Sequence, residues 1–205
     1  QNLQDVFNQA WKAGKRPYLV PYGGSSPTGA ASYAYAIQEM LTQDVHPDWI
    51  VFGSSSGGTQ AGMVAGERIF GFEGRILGIS IDEAEDDLKS LVAGLATEVA
   101  DRLGFELTFN SGDVLVNAEY AKPGYGVLTE RESEAVRLFA KHEGLLLDPV
   151  YTGRAAAGMI DLIRQVYFKS QETVLFWHTG GTPALFAEKY RNLFEASTDA
   201  IFLET

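Results

Sequence analysis

The sequence predicts an α/β protein built on an open, mostly parallel sheet with helices on both faces. Three observations predict it. Short apolar runs alternate with helical patterns, glycine- or serine-rich turns separate many of them, and the run Arg75–Ile81 reads as a strand buried on both sides, which is the grammar of βαβ units.

Taken in order, Leu3, Val6, Phe7, Ala10 and Trp11 fall at helical spacing, with Gly14 where a helix end favours glycine. Pro17–Pro21 is a short apolar run between breakers and reads as a strand. It leads through Gly23, Gly24, Ser25, Ser26 and Pro27 into a helical pattern with Tyr33, Ile37, Met40 and Leu41. Trp49–Phe52 is strand-like, Gly53–Thr59 is a Gly/Ser loop, and Ala61–Arg68 continues as a helix. After Arg75–Ile81, a long amphipathic helix carries Leu88, Leu91, Val92, Leu95, Val99 and Leu103. Val114–Val116 is a further strand, and the loop Pro123–Gly126 precedes a helix near Thr129–His142, where Thr129 and Glu132 have capping-box spacing and Gly144 marks the stop. The loop Asp148–Gly153 opens a helix with Met159, Ile160 and Ile163, and Thr173–Trp177 is the last strong strand. His178–Gly181 is another glycine loop, with Thr182 expected as an N-cap and Pro183 at the first helical position. The segment from Asn192 to Thr205 has no assigned structure.

Composition narrows the function. The 205 residues include Lys+Arg 16 against Asp+Glu 27, a net charge of −11 with 45% hydrophobic residues. A chain this apolar buries a core instead of staying disordered. Its acidity repels nucleic-acid backbones, because the few cations are scattered. No apolar run approaches the roughly 20 residues that span a bilayer. With no cysteine, disulfides, thiolate metal sites and a cysteine nucleophile are excluded.

In an open α/β sheet, ligands bind where strand carboxyl ends feed loops and helix N-termini. The strongest candidate is Ser54-Ser55-Ser56-Gly57-Gly58-Thr59, whose hydroxyls and amides can hold a phosphate dianion without a lysine. The same loop also reads as a simple tight βα turn. It has neither the Walker lysine nor GxGxxG spacing. His178 is either a reactive imidazole or one satisfied by its own loop. Tyr125 and Tyr151 stand on loops, where each either faces a ligand or packs its ring. The cluster Asp82, Glu83, Glu85, Asp86 and Asp87 reads best as a solvated helix start, and no metal site is expected.

In combination, these loops resemble a known family. Gly23–Pro27 with Gly29-Ala30, Ser54–Gly62, Pro123–Gly126, Asp148–Gly153 and His178–Leu185 occur in the order and approximate spacing of the D-cysteine desulfhydrase and 1-aminocyclopropane-1-carboxylate (ACC) deaminase family. That family uses pyridoxal 5'-phosphate (PLP) on the tryptophan synthase β-like fold, fold type II. The resemblance implies that Ser56, Gly57, Gly58 and Thr59 hold the cofactor phosphate and that Thr179 hydrogen-bonds the pyridine nitrogen. It makes Tyr125 and Tyr151 the phenols of the substrate pocket, acting as neutral donors. ACC deaminases carry Glu at the place of Thr152 and Leu at the place of Thr179, so Thr152 becomes a specificity position and both residues imply the desulfhydrase side. The implied reaction converts D-cysteine to pyruvate, ammonia and sulfide.

Two departures from the family, Ser55 for Gly and Gln60 for His, touch the phosphate loop. The family's Schiff-base lysine and its Ser-Asn-His loop lie N-terminal to everything in this chain, which begins at Gln1 inside a helical pattern. None of the seven lysines occupies a matching motif; Lys122 is the nearest to the implied site. The resemblance thus implies residues 1–22 as helix and strand of a smaller domain, 23–191 as the large PLP-binding domain and 192–205 as a tail. It also implies a chain that is inactive by itself, a homodimer and a small amino-acid substrate; a cytoplasmic location is expected, and the acidic charge and the lack of a long apolar run argue against nucleic-acid and membrane partners.

Overall fold

The structure, a computed structural model, describes residues 2–194. Its helices are α1 (Leu3–Lys12), α2 (Pro27–Thr42), α3 (Gly58–Phe70), α4 (Glu85–Arg102), α5 (Glu130–Glu143) and α6 (Thr152–Arg164). Its strands are β1 (Trp49–Ser54), β2 (Arg75–Ser80), β3 (Leu115–Asn117) and β4 (Val174–Phe176). They form a four-stranded sheet in the order β3-β2-β1-β4, and every pairing is parallel.

Period-two alternation sorts the strand side chains between two cores. Ile50 and Phe52 of β1, Ile76 of β2 and Val116 of β3 pack with α2, α3 and α4. Trp49 and Val51 of β1, with Leu77 and Ile79 of β2, pack on the opposite face with Ala155, Met159 and Leu162 of α6. A sheet covered on both faces explains why its strands read as unbroken apolar runs. Small residues set the α2–α3 spacing. A Cβ on Gly62 would overlap the Ala30 carbonyl, and one on Gly66 would lie 2.8 Å from Ala34 Cα.

Helix starts follow local chemistry. Ser26 accepts the Gly29 amide at 3.1 Å ahead of α2, with Pro27 at its first position. The expected capping box is present at α5, where Glu132 accepts the Thr129 amide at 2.9 Å. Glu85, Asp86 and Asp87 occupy the first turn of α4, and no cluster suited to a metal ion occurs among the described residues. No described helix is long and apolar enough to cross a membrane.

Two expectations are corrected. Pro17–Pro21 is not a strand: Tyr18 is 83% and Val20 61% exposed, and prolines at both ends remove the donors a ladder needs. Thr182 is not an N-cap. Gly181 takes that place with φ +91°, Thr182 begins a 3₁₀ turn over Thr182–Phe186 in which Pro183 is second, and the Thr182 hydroxyl instead donates to the Leu146 carbonyl at 3.3 Å. α3 also starts earlier than expected, because Gly57 at φ +77° turns the chain directly into it. Of the unassigned C-terminal segment, 195–205 lie outside the described residues.

One buried ion pair ties the α5–α6 side to the sheet. Arg154 of α6 is fully buried. Its Nε donates to Glu132 Oε1 at 3.0 Å, Nη1 to the Ile81 carbonyl at 2.7 Å and Nη2 to the Val127 carbonyl at 2.9 Å. Replacing Arg154 by Met leaves Glu132 buried and unpaired, a loss of about 3–5 kcal/mol. Urea unfolding of Arg154→Met is expected to show that drop.

At the far end of α3, burial pushes the Glu67 carboxyl up to about 7 from its usual 4.5, with Arg68 opposing and Asp113 reinforcing the shift. The native state then holds this proton more tightly than the unfolded chain does. The stabilisation is complete below about pH 4.5 and is lost as pH rises through about 7. Urea midpoints compared on both sides of that window are expected to fall with rising pH in the wild type and to fall less in Glu67→Gln.

Candidate cofactor site

From β1 the chain steps through β2 to β3 on one side, whereas β4 pairs with β1 on the other. The order reverses between β1 and β4, and such a switch point opens a crevice at the strand carboxyl ends. A cleft of about 390 Å³ lies there, lined by residues 53–59 with Tyr22, Gly23, Tyr151 and Thr179. A larger cleft of about 740 Å³ sits at the opposite end of the strands, around Pro47, Asp48, Gly74 and Arg75 at the amino ends of β1 and β2. Two of its carboxylates serve the fold: Asp48 accepts the Thr173 amide at 2.7 Å and Glu172 the Trp49 indole N–H at 3.0 Å. The smaller cleft, where a helix N-terminus and several hydroxyls converge, is the candidate site.

The floor of that cleft is the turn from β1 into α3. The structure brings Ser56, Gly57, Gly58 and Thr59 together at the helix N-terminus, where amides point outward without intrahelical partners. Sequence reasoning missed how the Tyr22–Gly24 turn packs on it. Ser25 Oγ accepts the Gly58 amide at 3.2 Å and donates to Ser56 Oγ at 2.8 Å. The Tyr22 hydroxyl stands 3.4 Å from Ser55 Oγ. Gly23 is required here, because a Cβ on it would overlap the Ser56 side chain.

Ser54 Oγ, at the end of β1, is buried with no hydrogen-bond partner among the described residues. An orphaned hydroxyl beside a helix N-terminus and three further hydroxyls, with no cation in the lining, is a donor set suited to a phosphate dianion. The residues present fit the phosphate of PLP.

Of the two phenols, Tyr151 lines the cleft and Tyr125 does not; Tyr125 reaches it only through Tyr151. The Tyr125 and Tyr151 hydroxyls are hydrogen-bonded to each other, with ring centroids 5.8 Å apart in an edge-to-face arrangement. Burial pushes the Tyr151 phenol well above its ordinary value, and the Tyr125 hydrogen bond and the negative Asp148 push it further. Tyr151 therefore keeps its proton at neutral pH. The loop that displays Tyr125 is pinned from both sides: Tyr190 donates to the Gly126 carbonyl at 2.6 Å and Arg154 to that of Val127.

Thr179 follows β4 and lines the cleft. Next to it, His178 accepts the Gly180 amide on Nδ1 at 3.2 Å, the arrangement of an imidazole held by its own loop. Thr152 is buried and does not line the cleft; its hydroxyl donates to Asp148 Oδ1 at 2.7 Å. Neither Lys122 nor any other lysine lines the cleft. Asp148 and Arg154 escaped sequence reasoning, although an Asp four residues ahead of a Thr at a helix start is a readable capping pattern.

Comparison with known proteins identifies the family and the fold. The family model described as pyridoxal-phosphate dependent enzyme matches residues 2–180. The solved structure of an ACC deaminase homologue is 33% identical, with a TM-score of 0.79, covering 93% of this chain and 57% of its own. The present chain thus spans little more than half the length of that protein. O-ureido-L-serine synthase (16% identity, TM-score 0.55, 96% of this chain and 60% of its own) shares the fold. So does a fungal L-serine ammonia-lyase from Rhizomucor miehei (19%, TM-score 0.52, 80% and 56%). By its parallel sheet, its phosphate-suited helix N-terminus at the switch point and the match across residues 2–180, the chain belongs to the pyridoxal-phosphate dependent enzyme family.

Proposed function

We propose that this chain carries the cofactor site of a PLP-dependent lyase of the D-cysteine desulfhydrase type. The overall change is D-cysteine plus water giving pyruvate, ammonia and hydrogen sulfide. The observation that carries the reading is that Thr179 and Tyr151 line the same cleft as the hydroxyl-rich start of α3. Bound PLP supplies an electron sink for the pair left at the amino-acid Cα.

The chain's own residues have distinct tasks. Ser56, Gly57, Gly58 and Thr59 hold the phosphate by hydroxyl and amide donors. Thr179 offers a neutral hydroxyl to the pyridine nitrogen, which keeps the ring a milder sink than a carboxylate would and suits a substrate whose thiol leaves readily. Tyr151, keeping its proton, and Tyr125 behind it serve the substrate side, donating to its carboxylate or handing a proton to the departing sulfur. Thr152, through its bond to Asp148, acts on specificity by holding the backbone under Tyr151 and not by touching substrate.

The lack of a lysine in the cleft lining favours a second reading for the chain by itself, a module that binds PLP or phosphate without turnover. A nucleophilic amine is what covalent chemistry on this cofactor needs. An ACC deaminase-like activity differs in product and is separable by assay. Assembly as a homodimer is part of the proposal and is read from sedimentation.

The deciding experiment supplies PLP and then D-cysteine, β-chloro-D-alanine or ACC, and measures pyruvate and sulfide. The 205-residue chain is expected to bind PLP and release no pyruvate, whereas the natural gene product is expected to release pyruvate and sulfide from D-cysteine. Pyruvate from the isolated chain, or 2-oxobutanoate from ACC as the main product of the gene product, would overturn the reading. Thr59→Val is expected to weaken PLP binding about tenfold or more, since a hydrogen bond to a charged acceptor contributes about 1.5–3 kcal/mol.

A further inference from the structure

Asp148 is fully buried, and its carboxylate is met by four donors. Oδ2 accepts the amides of Val150 and Tyr151, each at 2.8 Å. Oδ1 accepts the amide and the hydroxyl of Thr152, each at 2.7 Å. The Thr152 hydroxyl in turn accepts the Asp148 amide at 2.8 Å, so the two residues close on each other. The anion lies at the N-terminus of α6, where the helix dipole favours it, and hydrogen bonds to an ionised acceptor are the strong ones. The backbone that carries Tyr151 therefore has little freedom.

The same carboxylate meets the loop after β4. Gly181 has φ +91°, and a Cβ built on it would lie 2.7 Å from Asp148 Oδ1. The Thr182 hydroxyl, one residue on, reaches the Leu146 carbonyl at 3.3 Å. The segment leading into Asp148 is thus joined to the loop that bears Thr179. Thr179 and Tyr151 both line the cleft, and Asp148 underlies both without lining it.

We infer that Asp148 is a positioning residue that fixes Tyr151 and the Thr179 loop in one arrangement across the cleft. This rests on the lyase reading and deepens it, because it couples the substrate-side phenol to the group facing the cofactor ring. Asp148 does so through backbone amides and van der Waals contact, and its negative charge also opposes ionisation of the Tyr151 phenol.

The test compares Asp148→Asn and Gly181→Ala with the wild type in two readouts. The first is the onset of Tyr151 ionisation, followed by the carbon-13 shift of its ring Cζ and identified by its absence in Tyr151→Phe. The second is PLP affinity, from the absorbance of the bound cofactor. Asp148→Asn is expected to move the ionisation to lower pH and to weaken PLP binding about tenfold, the loss of roughly one charge-assisted bond. Gly181→Ala, whose Cβ would press on the Asp148 carboxylate, is expected to weaken PLP binding and to shift the Tyr151 ionisation as well. A folded Asp148→Asn protein with both readouts at wild-type values overturns the inference. If that variant does not fold, wild-type PLP affinity in Gly181→Ala overturns it instead. The ionisation readout needs no cofactor, so a natural gene product that releases no pyruvate from D-cysteine overturns the lyase reading and leaves the positioning role standing or falling on its own.

Discussion

The guanidinium of Arg154 is the constraint on which the site side of this molecule depends. It is buried without exposure, and it reaches the end of β2 at Ile81, the loop before α5 at Val127 and the start of α5 at Glu132. Ile81 lies far in sequence from Val127 and Glu132, and no ladder joins them. A fixed fork of donors suits such a junction, because its geometry leaves few alternative arrangements. Glu132 is shared as well: one oxygen serves Arg154 and the other caps α5 at Thr129. The capping box, a local device in most helices, is here wired into the tertiary structure. Since the Val127 carbonyl lies two residues from Tyr125, the same ion pair also sets where one of the site phenols stands.

The topology supplies the other half of the site. Parallel pairing points all four strand carboxyl ends one way, and the reversal of order at β1 leaves a crevice beside β4. Hydroxyl groups reach that crevice from the β1–α3 turn, from the Tyr22–Gly24 turn packed on it and from the loop after β4. The facing wall belongs to Tyr151, whose raised phenol pKa keeps a proton on that wall at neutral pH. Nothing in this arrangement requires a cation. A chain of net charge −11 can still hold a dianion, because amides and hydroxyls within hydrogen-bond reach outweigh distant, screened carboxylates.

The fold was legible wherever a feature is local. Alternating apolar runs and glycine turns read as βαβ units, and Thr129–Glu132 read as a capping box from spacing alone. Ser56–Thr59 and the two tyrosines were readable as candidates because their loops carry unusual residues. Arg154 was not, since an arginine in the first turn of an apolar helix looks like an ordinary surface residue until its partners are known. Pro17–Pro21 misled because apolarity between breakers mimics a strand, whereas a strand exists only where a neighbour accepts its ladder. Thr182 misled in the same way: its hydroxyl found a longer-range partner in Leu146, and Gly181 supplied the turn.

Two buried charges thus divide the labour of shaping one cleft. Arg154 holds the Tyr125 side through carbonyls, and Asp148 holds the Tyr151 side through amides. The choice of sign follows from what each must grip. Arg154 sits within α6 and faces loops that present unpaired carbonyls, which only a donor can satisfy. Asp148 precedes α6 and faces the amides of its first residues, which only an acceptor can satisfy. Both therefore lie where the backbone leaves groups of the opposite kind unmet, and the phenol pair forms because its two loops are held independently at the right separation. The hydrogen bond between Tyr125 and Tyr151 is then a consequence of these two anchors and not the force that brings the loops together, since the exposed Tyr125 hydroxyl has water as a ready alternative partner.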